Sequence, residues 1–229
     1  MTKSQTFLII GFGSIGRRHT NNILKITNSK VVILTKRKNI QINEFYKYNS
    51  NFPRINVCSN FQDCLKENPS IAFITNETSL HTHLALKLAK HGIDLFIEKP
   101  LSHSMKNIVK LKQVIKKNRL IVMVGCNFRF YPPIKKIKEI VEHNLAGRPI
   151  SVQCENSSFL PDWHPGEDYA KGYAAKKNLG GGVTLTQIHE FDYLNWIFGP
   201  IQKHCSIIKK ISDLKINVDD ICSCIFELK

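Results

Sequence analysis

The run Phe7-Leu8-Ile9-Ile10-Gly11-Phe12-Gly13-Ser14-Ile15-Gly16 constrains this chain more than any other stretch. The apolar residues Phe7 to Ile10 have the signature of a strand covered on both faces. Glycines follow at the spacing G-x-G-x-x-G, and the pattern turns helical from Ser14. Each glycine then has its own task. Gly11 permits the tight turn, Gly13 lets the backbone approach a pyrophosphate, and Gly16 lets helix and strand pack closely. The helix opening at Ser14 and Ile15 adds unpaired N–H groups and a positive dipole end, a seat for an anion. The spacing therefore predicts a dinucleotide-binding strand–turn–helix in which Gly11, Gly13, Ser14, Ile15 and Gly16 surround the phosphates.

The same alternation continues downstream. Val31 to Leu34, Ile71 to Ile74, Leu95 to Ile97 and Ile121 to Val124 read as short buried strands. Between them fall helical patterns: a short one over Asn60 to Lys66, one capped by Ser79 and ended by Gly92, and one capped by Ser104. Strands alternating with amphipathic helices predict an α/β fold, a doubly wound Rossmann-type parallel sheet over residues 1–125. Ligands of such sheets bind beyond the carboxyl ends of the strands. Thr35, Lys36 and Arg37 leave the second strand, where an NAD-selective site usually carries an acidic residue. A hydroxyl and two cations suit a 2′-phosphate, which favours NADP and leaves NAD as the alternative.

From residue 126 the pattern changes. A strand over Ile150 to Cys154, a polar loop through Lys177, a helix over Val183 to Phe198 and strands near Cys205–Ile208 and Ile221–Leu228 predict a second α+β domain with a mostly antiparallel sheet. The loop holds Trp163, His164, Tyr169 and Tyr173 and reads as a substrate wall. Apolar alternation runs to Leu228, so this substrate and oligomerisation domain over residues 126–229 reads as truncated, with an unpaired sheet edge, and a homo-oligomer is expected if that sheet is completed.

Composition narrows the function classes. The formal net charge is +15, yet the lysine groups are scattered and none is interleaved with aromatics in a nucleic-acid-reading motif. A lysine-rich solvated surface accounts for them first and an anionic ligand second. The 7 cysteines form no CxxC pair and no metal-ligand spacing, so they read as reduced thiols of a cytoplasmic protein without a metal site. Cys222 and Cys224 share a strand face. No apolar run is long enough to cross a bilayer, and no membrane partner is expected.

Ordered motifs now converge. The EKP run Glu98-Lys99-Pro100, the glycine loop, and Thr75-Asn76-Glu77-Thr78-Ser79-Leu80-His81 resemble the Gfo/Idh/MocA oxidoreductase family. So do Gly125-Cys126-Asn127-Phe128-Arg129-Phe130-Tyr131-Pro132 and Gly180-Gly181-Gly182 followed by His189 and Asp192. The run Leu160 to Gly166 looks most like members acting in surface-polysaccharide and sugar-nucleotide metabolism. The resemblance implies an NAD(P)-dependent enzyme that oxidises a sugar or nucleotide-sugar hydroxyl by hydride transfer. It implies Lys99 and His189 as catalytic residues. For the cofactor it implies Thr75, Asn76, Thr78, His81, Glu98 and Asn127, and for substrate Arg129, Trp163, Tyr169 and Asp192. Members commonly carry an aspartate three or four residues before the histidine, where this chain has Thr186 and Leu185. Threonine cannot hold a negative charge against an imidazolium, so weak turnover is expected. The alternative reading is a dinucleotide-binding remnant with a binding or assembly role.

Overall fold

The structure, a computed structural model, describes residues 5–36 and 54–229. The chain divides into two compact units, Met1–Gly125 and Cys126–Lys229.

In the first unit the strands β1 (Thr6–Ile10), β2 (Lys30–Leu34), β3 (Ile55–Cys58), β4 (Ile71–Ile74), β5 (Asp94–Ile97) and β6 (Val122–Val124) form one sheet. Its order is β3-β2-β1-β4-β5-β6 and every pairing is parallel. The crossovers are α1 (Ser14–Ile26), α2 (Phe61–Lys66), α3 (His81–Lys90) and α4 (Ile108–Asn118). Period-two alternation sorts the side chains between two layers. Leu8, Ile10, Val32, Ile74 and Ile97 meet Ala85 and Leu88 of α3 and Leu111 of α4 on one face. Phe7, Ile9, Val31 and Ile33 meet Ile23 and Leu24 of α1 on the other. The unit is the doubly wound sheet expected from the sequence. The strand order reverses between β1 and β4, so a crevice opens at their carboxyl ends.

Two local expectations are corrected, and one strand was not expected. Ser79 does not cap α3: Thr78–Leu80 forms a 3₁₀ turn, and the helix begins at His81 with Leu80 at the cap position. Ser104 does not cap α4, which begins at Ile108 after Asn107 at φ 67°, a left-handed conformation that asparagine tolerates. The strand β3 carried no sequence expectation, because Ile55-Asn56-Val57-Cys58 is too short for its alternation to stand out.

The second unit contains α5 (Pro132–Glu142), α6 (Val183–Thr186), α7 (Ile188–Phe198) and the antiparallel pair β7 (Ile201–Lys209) and β8 (Ile221–Leu228). The expected strand over Ile150 to Cys154 does not form, and Ile150 is 99% exposed. Alternation places side chains on a face, but a strand also needs a hydrogen-bonding neighbour, and none pairs with this segment among the described residues. Its side chains dock on α7 instead. The Cys154 thiol meets the Tyr193 hydroxyl at 2.9 Å, and Asn156 Nδ2 donates to Gln187 Oε1 and Glu190 Oε1 at 3.0 and 3.1 Å. Burial and the Cys154 contact push the Tyr193 phenol above its ordinary range. Between this segment, α7 and β8 lies a cavity of about 880 Å³, lined by residues including Cys154, Glu190, Cys222 and Cys224. Cys222 and Cys224 do share a face, with sulfurs 3.4 Å apart, and burial next to Cys222 pushes the Cys224 thiol up to about 11. Among the described residues no helix is long and apolar enough to cross a membrane.

Candidate functional site

The glycine loop is built as a closed turn with one open side. Gly11 sits at φ 92°, and a Cβ there would lie 2.8 Å from the backbone nitrogen of Asn76. A Cβ at Gly16 would lie 2.2 Å from the Gly11 carbonyl oxygen. A Cβ at Gly13 would meet nothing within 4 Å, so this is the side from which a ligand can approach. Gly13 is also the N-cap of α1 and supplies no side-chain cap, and the first turn holds no acidic residue. The N–H groups at Ser14 and Ile15 thus have no side-chain acceptor from their own cap.

Thr75 binds this loop to the end of β4. Its hydroxyl is shared between the carbonyl oxygens of Ile10 and Gly11 at 3.0 and 2.8 Å, and its N–H donates to Ile10 at 2.9 Å. Thr75→Val should therefore destabilise the unit by about 1 kcal/mol, because the half-buried Gly11 carbonyl loses the hydroxyl it accepts. Denaturant unfolding measures this, and an unchanged midpoint would count against the assigned role.

His81 and Thr78, expected at the cofactor, are buried beside the glycine loop. His81 is 1% exposed and Thr78 3%. The His81 ring faces two carbonyl oxygens, Pro100 from Nδ1 at 2.9 Å and Asn76 from Nε2 at 3.0 Å. It fastens the Asn76 loop to the segment after Lys99. Asn76 Oδ1 is buried without a hydrogen-bond partner among the described residues.

Glu98 and Lys99 leave β5 at the carboxyl edge, and the Lys99–Pro100 peptide is cis. Glu98 Oε1 pairs with His19 Nε2 at 2.7 Å, and Oε2 accepts the backbone N–H of Lys99 at 3.1 Å. Gly125 supports the same carboxylate, since a Cβ there would lie 3.2 Å from Glu98 Oε2. Sequence reasoning assigned His19 and Gly125 no role at Glu98. Thr35 and Lys36 stand at the end of β2, half-buried and exposed, and Arg37 lies outside the described residues.

In the second unit, Asn127 and Arg129 lie on the 3₁₀ turn Asn127–Phe130, where Asn127 is exposed. Arg129 and Asp192 are joined in a bidentate ion pair, Nε to Oδ2 at 2.8 Å and Nη2 to Oδ1 at 2.6 Å. That pairing raises the Arg129 pKa above its ordinary value. The two residues expected to hold substrate therefore first hold each other and fix the turn against α7. His189 lies in the first turn of α7, stacked on Phe128 with centroids 4.3 Å apart and planes at 9°. The expected continuous helix over Val183 to Phe198 is broken at Gln187, so Thr186 and His189 do not share one helical face. The Thr186 hydroxyl donates back to the Gly182 carbonyl at 2.8 Å, a bond of the kind that bends helices. Asp219, which had no sequence signal, receives the N–H and hydroxyl of Thr184 at 2.9 and 2.6 Å and holds the start of α6. Trp163 donates to the Ser158 hydroxyl at 3.0 Å, and the Tyr169 hydroxyl accepts the Lys215 N–H at 3.2 Å.

Known proteins agree with this architecture. Residues 5–126 match the family described as oxidoreductase family, NAD-binding Rossmann fold, and residues 134–229 match the GFO/IDH/MocA C-terminal domain. "Uncharacterized oxidoreductase YrbE" of Bacillus subtilis (strain 168) is 30% identical over 201 residues, covering 87% of this chain and 55% of that protein. "Myo-inositol 2-dehydrogenase" of Thermotoga maritima is 27% identical over 196 residues, covering 83% and 54%. The chain thus spans about half the length of the curated relatives it matches. The crystal structure of the WlbA dehydrogenase from Chromobacterium violaceum, in complex with NADH and UDP-GlcNAcA, shares the fold. Its TM-score is 0.80 at 15% identity, over 100% of this chain and 65% of that one. Two matched domains in sequence order, the glycine loop and the doubly wound sheet place the chain in the Gfo/Idh/MocA oxidoreductase family, with its NAD-binding Rossmann fold.

Proposed function

We propose that this chain provides the dinucleotide site and part of the substrate site of an NAD(P)-dependent oxidoreductase acting on a sugar or nucleotide-sugar hydroxyl. One observation carries the reading. The open side of the glycine loop, the uncapped start of α1 and the Glu98–Lys99 edge lie at the carboxyl ends of one parallel sheet. A dinucleotide fits there. Gly13 leaves room for its phosphates, the N–H groups at Ser14 and Ile15 can donate to them, and Asn76 Oδ1 is a buried acceptor for a hydroxyl. A bound nicotinamide supplies the hydride acceptor at its C4. Lys99 exchanges the proton of the substrate hydroxyl, with His189 as the second proton-handling group. The second unit serves substrate binding and assembly, with Trp163 and Tyr169 on the substrate wall. Relatives named as inositol and levoglucosan dehydrogenases support a polyol or sugar as substrate class.

Lys36 and Arg37 after β2, with no carboxylate beside them, favour NADP over NAD. Calorimetric titration should show NADPH binding tighter than NADH, and Arg37→Asp should reverse the order. Tighter NADH binding by the unaltered protein would overturn the preference. Oxidation assays against inositols and UDP-sugars test the reaction itself. A second reading, dinucleotide binding with little turnover, is favoured by Leu185 and Thr186 at the positions of the acidic partner of His189. Tight cofactor binding with no oxidation of any such substrate would select it.

A further inference from the structure

We infer that His19 is a positioning residue that sets the Glu98 carboxylate at the edge of the sheet. Glu98 projects from the end of β5, yet its carboxylate is held by two groups and given room by a third residue. His19 Nε2 lies 2.7 Å from Oε1, the Lys99 N–H donates to Oε2 at 3.1 Å, and Gly125 clears the space beside both oxygens. A carboxylate only accepts, so Nε2 carries the proton of this bond. The imidazole is itself fixed. It packs against Phe73 with ring centroids 5.2 Å apart and edge-on to Phe96 at 4.9 Å, and those two rings stack on each other at 4.8 Å. Side-chain exposures of 17% for His19 and 14% for Glu98 keep the pair mostly out of water, where a charge-assisted bond holds geometry well.

The placement along α1 gives the pair its use. His19 is five residues beyond Ser14 on the helix whose N-terminus faces the open side of the glycine loop. One rigid helix therefore sets both the anion seat and the carboxylate at the neighbouring strand ends. The carboxylate keeps lone pairs that neither His19 nor Lys99 uses, and these can accept hydroxyls of a ribose bound at the carboxyl edge. This last step rests on the function proposed above. The His19–Glu98 bond itself does not.

The test uses the full chain as wild type, His19→Ala, His19→Gln, Glu98→Gln and the His19→Ala/Glu98→Gln double variant. NADH affinity is read by calorimetry, stability by thermal unfolding and the His19 ring by ¹⁵N NMR. A positioning role predicts roughly ten-fold weaker NADH binding for His19→Ala and for Glu98→Gln, with the double variant no weaker than the worse single one. His19→Gln, whose amide can donate to Oε1, should recover most of the affinity. Additive losses, or a loss of stability with unchanged affinity, would overturn the inference and leave His19 a packing residue. If wild type binds neither NADH nor NADPH, the proposed function fails, and the NMR still decides the pair. A His19 ring signal that moves in Glu98→Gln supports it, and one that does not move refutes it.

Discussion

Gly16→Ala should unfold or severely destabilise the first unit, by about 3 kcal/mol or more, while Gly13→Ala leaves its stability nearly unchanged. The two glycines are three residues apart, and their surroundings differ completely. An alanine methyl at residue 16 would lie 2.2 Å from the Gly11 carbonyl oxygen and 2.8 Å from Thr75 Oγ1. The carbonyl cannot retreat, because Gly11 is held at φ 92° with Asn76 packed against its own α-carbon. It also accepts the Thr75 hydroxyl at 2.8 Å. Relief would require moving α1 off β1, and with it Ile23 and Leu24 from the core layer they share with Phe7 and Ile9. At residue 13 the backbone has φ −83° and ψ −165°, which any residue adopts, and the added methyl would point into open space. On the function proposed above a pyrophosphate occupies that space, so Gly13→Ala should lose dinucleotide affinity without losing stability. Denaturant melts and calorimetry of both variants separate the effects. A Gly16→Ala protein that unfolds at the wild-type midpoint would show that the close packing is not what the glycine is for.

Lys99→Ala should lower turnover by about 10²- to 10⁴-fold while leaving cofactor affinity within a factor of about two. The substitution removes the ammonium and its stem but keeps the backbone N–H that Glu98 Oε2 accepts, so the carboxylate held by His19 stays in place. The glycine loop and the Asn76 loop, fastened by Thr75 and His81, are likewise untouched. On the function proposed above, this variant separates proton transfer from dinucleotide binding. Steady-state oxidation of a sugar or inositol substrate, alongside a direct cofactor titration, checks both halves. Turnover at the wild-type rate would remove Lys99 from the chemistry. A parallel loss of cofactor affinity would instead make it a binding residue.

The fold of the first unit was legible because its signals are local. A buried parallel strand is a short apolar run, a crossover helix is an amphipathic repeat, and the turn between β1 and α1 demands glycine at fixed offsets. The strand expected at Ile150 to Cys154 failed for the complementary reason. Its alternation survives as the docking of Cys154 and Asn156 on α7, but a ladder needs a second backbone, which no alternation encodes. The caps expected at Ser79 and Ser104 failed because tertiary contacts outrank a side-chain cap worth about 1 kcal/mol. The buried His81 ring, bonded to Asn76 and Pro100, decides where α3 begins.

By itself, then, the sequence determined the strand–helix alternation of the first unit apart from β3, the position of the phosphate loop, and the family through its spaced motifs. Each of these is a property of contiguous residues. Only the tertiary structure decided that His19 bonds Glu98 with Gly125 leaving room beside it, that His81 is a buried fastener, and that Arg129 pairs with Asp192. It also placed Asp219 beneath Gly182 and Thr184. His19 and Glu98 are 79 residues apart and Arg129 and Asp192 are 63 apart. Such partners are chosen by which strand ends and helix faces the packed core brings within hydrogen-bond reach, and a linear pattern holds no record of that distance.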